Sequence, residues 1–323
     1  MTASVTRSQV LSFRVRAQQL DRDALELNDA AVLDIGVQAT GPDGAGWALS
    51  NRGVDVSHLS GGELVKVWTI RGAPHVYLRD NLRSVAAAVE PFSEADAGER
   101  IFDAAKPLKA AGISNVEALD AVAAAMHSVV TRPMGKSEVS TALTTLMDPP
   151  YLRFCRPRNT THLYEMLFRL AALRAGLELE AGTSPPVLRR VPGFERAART
   201  PERYDVVRAC LRLLGLATPK LVAEYLDARV KDVTARWPDD VVDVPARAKA
   251  LWPILGRPGA VLIDGEIAGW WRPRKLGKHF RVHIQLWDTI AASTRGAISE
   301  QAERLAAYRQ VPLAGIDLDG GPT

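Results

Sequence analysis

Several groups of residues in this chain carry side chains able to do chemistry. Gln38 lies in a small-residue turn, within IGVQATGPDGAG, where an apolar stretch ends. A carboxamide can hold a water through its oxygen and donate through its nitrogen, but it cannot take up a proton near neutral pH. Read alone, a glutamine there is a helix-end polar group bonding nearby backbone. Thr40, two residues on, offers a hydroxyl held close to the main chain. Asp34 and Asp43 flank the turn and have the chemistry of an acid or base. Asp43 reads more simply as the cap of the next helix, and Asp34 as a solvent-facing residue.

Farther along, VWTIRGAPHVY places Arg71 and His75 around a glycine turn. Arg71 is suited to hold a phosphate, whereas His75 reads as a structural histidine and Trp68 as core. The densest basic tract is RPRKLGKHFR, with Arg272, Arg274, Lys275, Lys278 and Arg281 near a hairpin tip and Trp270, Trp271 and Phe280 at its base. Such a hairpin can follow phosphates or enter a minor groove; the plain alternative is a solvated turn that keeps an edge from aggregating. Lys136 and Ser137 sit in MGKS, but Val130 occupies the position where a phosphate loop needs its upstream glycine. Nucleotide binding is therefore set aside.

The elements that must position these residues read as follows. Arg7–Leu20 is an amphipathic helix, Ala30–Val37 a short second one and Asp43–Arg52 a third. Ser60 caps a helix from Gly61, with Glu63 completing a capping box. Trp68–Arg71 and His75–Leu78 form a hairpin. Helices follow over Ser93–Ala110, Asn115–Val130 and Lys136–Leu146, with Ser93 and Ser137 as caps. Tyr151–Cys155 is a strand, Thr161–Ala175 a helix, and Leu177–Glu180 with Val187–Val191 a second hairpin. A third set holds Arg203–Leu214, Pro219–Leu226 capped by Thr218, Val230–Trp237, and a wing beginning at Val241–Val244. Asp264-Gly265 is a hairpin turn between Gly259–Leu262 and Glu266–Trp271. Arg281–Leu286 is a further strand, Ser299–Arg309 a last helix, and the acidic tail Leu313–Thr323 a frayed end.

Helices followed by a two-stranded wing, repeated, give a mainly α fold with small β-hairpins: tandem winged helices over 1–90, 91–197 and 198–255, then a β-rich region over 256–323. Composition agrees with a globular chain. Of its 323 residues 47% are hydrophobic, which supports a sizeable core. The formal charge is only +4, so any nucleic-acid partner must be met by a local basic face. Cys155 and Cys210 lack ligand-like or disulfide-framework spacing and suit a reducing cytoplasm. No run of about 18 apolar residues exists to span a membrane.

IGVQA (Ile35–Ala39), VWTIRGAPHVY (Val67–Tyr77), TPKLVAEYL (Thr218–Leu226) and GAVLIDGEIAGWWR (Gly259–Arg272), in that order, resemble the bacterial winged-helix DNA-binding family that includes alkylpurine DNA glycosylases of the AlkZ and YcaQ type. The resemblance implies a concave, DNA-holding array that removes N-alkylated purines without metal or cofactor. Some such enzymes protect producers of DNA-alkylating antibiotics by unhooking bulky adducts and crosslinks. It also implies a catalytic pattern of Gln, an apolar residue, then Gln or Asp. Here the pattern reads Gln38-Ala39-Thr40, so Gln38 takes the water-positioning role and Thr40 departs from the second position.

The expectation is a monomeric, cytoplasmic, nucleoid-associated glycosylase acting on alkylated double-stranded DNA. The alternatives are a non-catalytic winged-helix lesion sensor or regulator, and a protein-interaction scaffold.

Overall fold

A computed structural model describes residues 7–40, 44–57, 62–215, 217–241 and 259–319. The caps expected at Asp43 and Ser60, and the third wing beyond Val241, lie outside these residues. The chain divides into two compact units, residues 22–241 and residues 1–21 with 242–323. Among the described residues no helix is long and apolar enough to cross a membrane.

The unit of residues 22–241 is mostly helical around small sheets. Its first sheet joins β1 (Val37–Gln38), β2 (Leu64–Trp68) and β3 (Pro74–Leu78) in the order β1-β3-β2, all antiparallel. Val65 and Val67 are buried while Leu64 and Lys66 are half-buried, a period-2 pattern that makes Leu64–Trp68 a strand where the helix expected to begin at Gly61 would have continued. β2 ends at Trp68 and does not run on to Arg71, because Arg71 (φ 57°) and Gly72 (φ 59°) both reverse the chain in left-handed conformations. The helix expected over Ala30–Val37 is confined to Val32–Ile35; Val37 already belongs to β1.

The same strand order recurs. β4 (Met134–Gly135), β7 (Leu177–Leu179) and β8 (Val187–Arg190) form a sheet ordered β4-β8-β7, with the hairpin of β5 (Leu152–Cys155) and β6 (Thr160–Leu163) inserted between β4 and β7. The expected helix over Thr161–Ala175 therefore begins only at Glu165, since Thr160–Leu163 pairs with β5. Glu94–Ile101 is capped by Ser93, whose side chain accepts from the Asp96 amide. Asn115–Val129 starts with a capping box made by Ser114 and Glu117. Ser137 does not cap: Lys136–Leu146 begins one residue earlier, after Gly135, with no side-chain cap. Leu119, Val122, Met126, Leu143, Leu167 and Phe168 fill the core of this region, and Trp68 joins it edge-on to Phe168 at 5.9 Å.

The helices Val206–Leu214, Pro219–Leu226 and Val230–Ala235 follow. Thr218 accepts from the Leu221 amide and Pro219 opens the helix without an amide to satisfy. Their apolar faces share one core with the first sheet, where Val207, Cys210, Val222 and Leu226 meet Val65, Val67, Tyr77 and Leu82. That shared core brings Pro219–Leu226 beside the Ile70–Gly72 turn that carries Arg71.

In the other unit, the helix Arg7–Ala17 accompanies a sheet of β9 (Gly259–Ile263), β10 (Glu266–Leu276), β11 (His279–Leu286) and β12 (Leu313–Asp319), ordered β12-β11-β10-β9. Asp264 (φ 51°) and Gly265 (φ 80°) form the two-residue β9–β10 turn, where positive φ at both positions matches the strand twist. The last helix spans Ala292–Arg309, longer than the predicted Ser299–Arg309. Within the described residues the tail is a strand, not a frayed end. Leu313–Asp319 runs parallel to β11, because Ile316 and Leu318 alternate with Asp317 and Asp319 as a half-buried strand requires.

Candidate active site

The site is built on β1. The helix Val32–Ile35 turns into it at Gly36 (φ 87°), where an added Cβ would lie 2.3 Å from Cζ of Tyr77. Only glycine meets both demands. Tyr77 is fully buried. Its hydroxyl donates to the Ile35 carbonyl at 3.2 Å, so the Thr69 hydroxyl 2.9 Å away is its donor. This polar stitch under the sheet fixes where β1 leaves the helix.

Gln38 pairs with His75 across the β1–β3 ladder. His75 is fully buried, as a structural histidine should be. Its Nδ1 donates to the Ala73 carbonyl at 3.0 Å, which leaves Nε2 as a bare acceptor, and Nε2 has no partner among the described residues. Burial, opposed by the bond to Ala73 and aided by the Arg71 charge, pushes its pKa down to about 4. The ring is neutral at physiological pH.

The Gln38 carboxamide is half-buried and bonded at both ends. Arg71 Nη2 donates to its Oε1 at 3.1 Å, and its Nε2 points at Thr40 Oγ1 at 3.4 Å. A guanidinium has only donors, so the atom facing it must be the oxygen, and this settles which way the amide is turned. Thr40, the unexpected residue in the pattern, therefore does reach Gln38. One lone pair of Oε1 remains for a water, as does the remaining hydrogen-bonding capacity of the Thr40 hydroxyl.

Arg71 was expected to meet a phosphate; here its guanidinium is engaged within the protein. Nη1 donates to the Tyr225 carbonyl and the group lies 5.0 Å above the Tyr225 ring. Tyr225 was not foreseen from the sequence. It is 154 residues from Arg71, and no local pattern links the two.

Asp34 is buried, not solvent-facing: Arg203 Nε bonds both its carboxylate oxygens, at 2.9 and 3.1 Å. Burial raises its pKa, and Arg203 works against that rise. Lys136 is tied to Glu165 and lies 5.8 Å over Phe168, as an ion-paired residue of the core's edge.

In the other unit the basic tract forms the β10–β11 hairpin, with Arg274 opposite Arg281 and Leu276 opposite His279. Trp270, Arg272, Arg274 and Arg281 share one face; Phe280, Val282 and Ile284 are buried on the other. Arg272 stacks on Trp270 at 5.6 Å. Arg281 pairs with Asp317 of β12 at 2.6 Å, which partly neutralises it. Arg274, Lys275 and Lys278 are exposed and form no ion pair among the described residues.

Comparison with known proteins bears on both units. The family described as "DNA glycosylase AlkZ-like" matches residues 35–247 and 239–308. Among solved structures, the Streptomyces sahachiroi DNA glycosylase AlkZ superposes with a TM-score of 0.60 at 17% identity, covering 98% of this chain and 100% of that one. No curated protein matches the sequence. At that identity the superposition speaks for the fold, while the family match spans the site and most of the chain: the protein belongs to the AlkZ-like DNA glycosylase family.

Proposed function

We propose that this protein hydrolyses the N-glycosidic bond of N-alkylated purines in duplex DNA as a monofunctional glycosylase, with Gln38 positioning the water. The observation that carries the reading is the Gln38 carboxamide. Its oxygen is turned toward Arg71 and its nitrogen toward Thr40, and it lies inside the family-matched segment.

Alkylation at purine N3 or N7 makes the base cationic and a good leaving group. The C1′–N bond breaks with its electron pair going to the purine, which becomes neutral. Water oxygen then bonds C1′, and its proton passes to solvent. Such a reaction asks the protein chiefly for a placed water and a tolerated oxocarbenium. Gln38 Oε1 accepts one hydrogen of that water, and the Thr40 hydroxyl holds the amide and shares the water's second bond. Neither group removes the proton outright, as an aspartate at position 40 would.

The recurrent strand order β1-β3-β2 and β4-β8-β7, each behind a helix, supports winged helices within 1–90 and 91–197, the first of them without Arg7–Ala17, which belongs to the other unit. The three helices of 206–235 support a third over 198–255, with the β-rich region 256–323 after it. Arg272, Arg274, Lys275 and Lys278, with Arg281 restrained by Asp317, are the groups that meet DNA phosphates in this reading.

The test is single-turnover base release from a duplex carrying one N7-alkylguanine, beside an undamaged duplex. Lesion-specific release that Gln38→Ala slows about a hundredfold or more is expected. Thr40→Asp should raise the rate, because a carboxylate can accept the water's proton. Lesion binding without release would replace the glycosylase with a lesion-binding protein.

A further inference from the structure

Arg71 holds a backbone conformation that costs a non-glycine residue, with φ at 57°, in a turn whose next residue is already glycine. Such strain persists where the surroundings hold the residue in place. Here the surroundings are specific. The Tyr225 carbonyl lies in the last turn of Pro219–Leu226, where backbone oxygens lack helical partners and carry the negative end of the helix dipole. Arg71 Nη1 donates to that oxygen, the guanidinium stacks on the ring of the same residue, and Nη2 is thereby aimed at Gln38 Oε1 at 3.1 Å. Strain, cap, stacking and the bond to Gln38 converge on one geometry.

We infer that Arg71 is a positioning residue for Gln38. It holds the carboxamide oxygen in the single orientation that leaves one lone pair for water, and Tyr225 holds Arg71. The inference rests on the water-positioning role of Gln38. A guanidinium stacked on an aromatic ring and bonded at two nitrogens has little freedom to turn toward a phosphate.

The experiment is a double-mutant cycle on the full chain, with Arg71→Ala, Gln38→Ala and the double variant. Base release is read under enzyme excess at saturating protein, and DNA affinity is measured in parallel. Arg71→Ala is expected to slow release about a hundredfold with affinity unchanged. The double variant should be no slower than Gln38→Ala. Arg71→Lys should not rescue, since an ammonium cannot stack and fork in this way.

Reduced affinity with an unchanged saturated rate would make Arg71 a phosphate-binding residue and overturn the inference, as would rate losses that multiply in the double variant. Activity is not the only readout. In the nitrogen-15 NMR spectrum, the Gln38 side-chain amide should give signals displaced from those of a free glutamine in the wild type, moving toward the free-glutamine position in Arg71→Ala. Signals that do not respond to Arg71→Ala overturn the positioning role whatever the activity. A Gln38→Ala variant with wild-type release would instead refute the role of Gln38 itself.

Discussion

Gln38 owes its chemistry to the neighbours that hold it, and those neighbours differ in how far a sequence can show them. Gln38 and Thr40 are two residues apart, and their hydrogen bond is local. The register that sets His75 beside Gln38 needs the strands to pair first. His75 carries a pH signature. Its folded pKa of about 4 lies below its ordinary 6.5, so the unfolded chain binds the extra proton first as pH falls. The neutral ring's contribution is complete above pH 6.5 and is lost as pH drops toward 4, up to about 3 kcal/mol in all. Urea midpoints at pH 7 and pH 5 should separate clearly for the wild type and much less for His75→Phe. A wild-type midpoint that does not move between those pH values would refute a depressed pKa.

Elements were legible where local chemistry decides them. Thr218 followed by Pro219 predicts a helix start, and the Thr218 side chain does cap it. Thr218→Ala should cost about 1 kcal/mol by chemical denaturation, since the Leu221 amide loses its partner. Asp264-Gly265 fixed a two-residue turn in the same local way. Errors arose where pairing partners lie elsewhere in the chain. Thr160–Leu163 continues plausibly as the first turn of the following helix, and only its ladder with β5 makes it a strand. Leu313–Asp319 looked like a loose acidic tail until β11 offered an edge, although its alternation of Ile316 and Leu318 with aspartates was already visible. Glu63 suggested a capping box, but Val65 and Val67 face a core that no local pattern reveals.

For the molecule as a whole, a formal charge of +4 leaves DNA binding to local surfaces. The exposed Lys275 and Lys278 at the β10–β11 tip test this. Replacing both with alanine should reduce the slope of log affinity against log salt by about 2, one for each phosphate that no longer meets a lysine. An unchanged slope would leave the hairpin a solvated turn. Each unit has its own buried core, with Phe280, Val282, Ile284 and Leu305 in one and Leu119, Phe168 and Tyr77 in the other. The helix Arg7–Ala17 and the C-terminal sheet belong to one unit although the whole of residues 22–241 separates them in sequence.

The sequence alone determined what short-range physics controls: the mainly helical plan with small hairpins, the caps and turns, the basic tip, and the position of Gln38 in an ordered set of motifs. Tertiary structure decided everything that depends on chain segments far apart meeting. It joined the helix of Tyr225 to the first sheet through a shared core and placed that residue's carbonyl under Arg71. It paired Asp34 with Arg203 and buried His75 neutral. Periodicity and capping are set by neighbours a few residues away, whereas a guanidinium finds its partner only when packing has closed a loop of 154 residues.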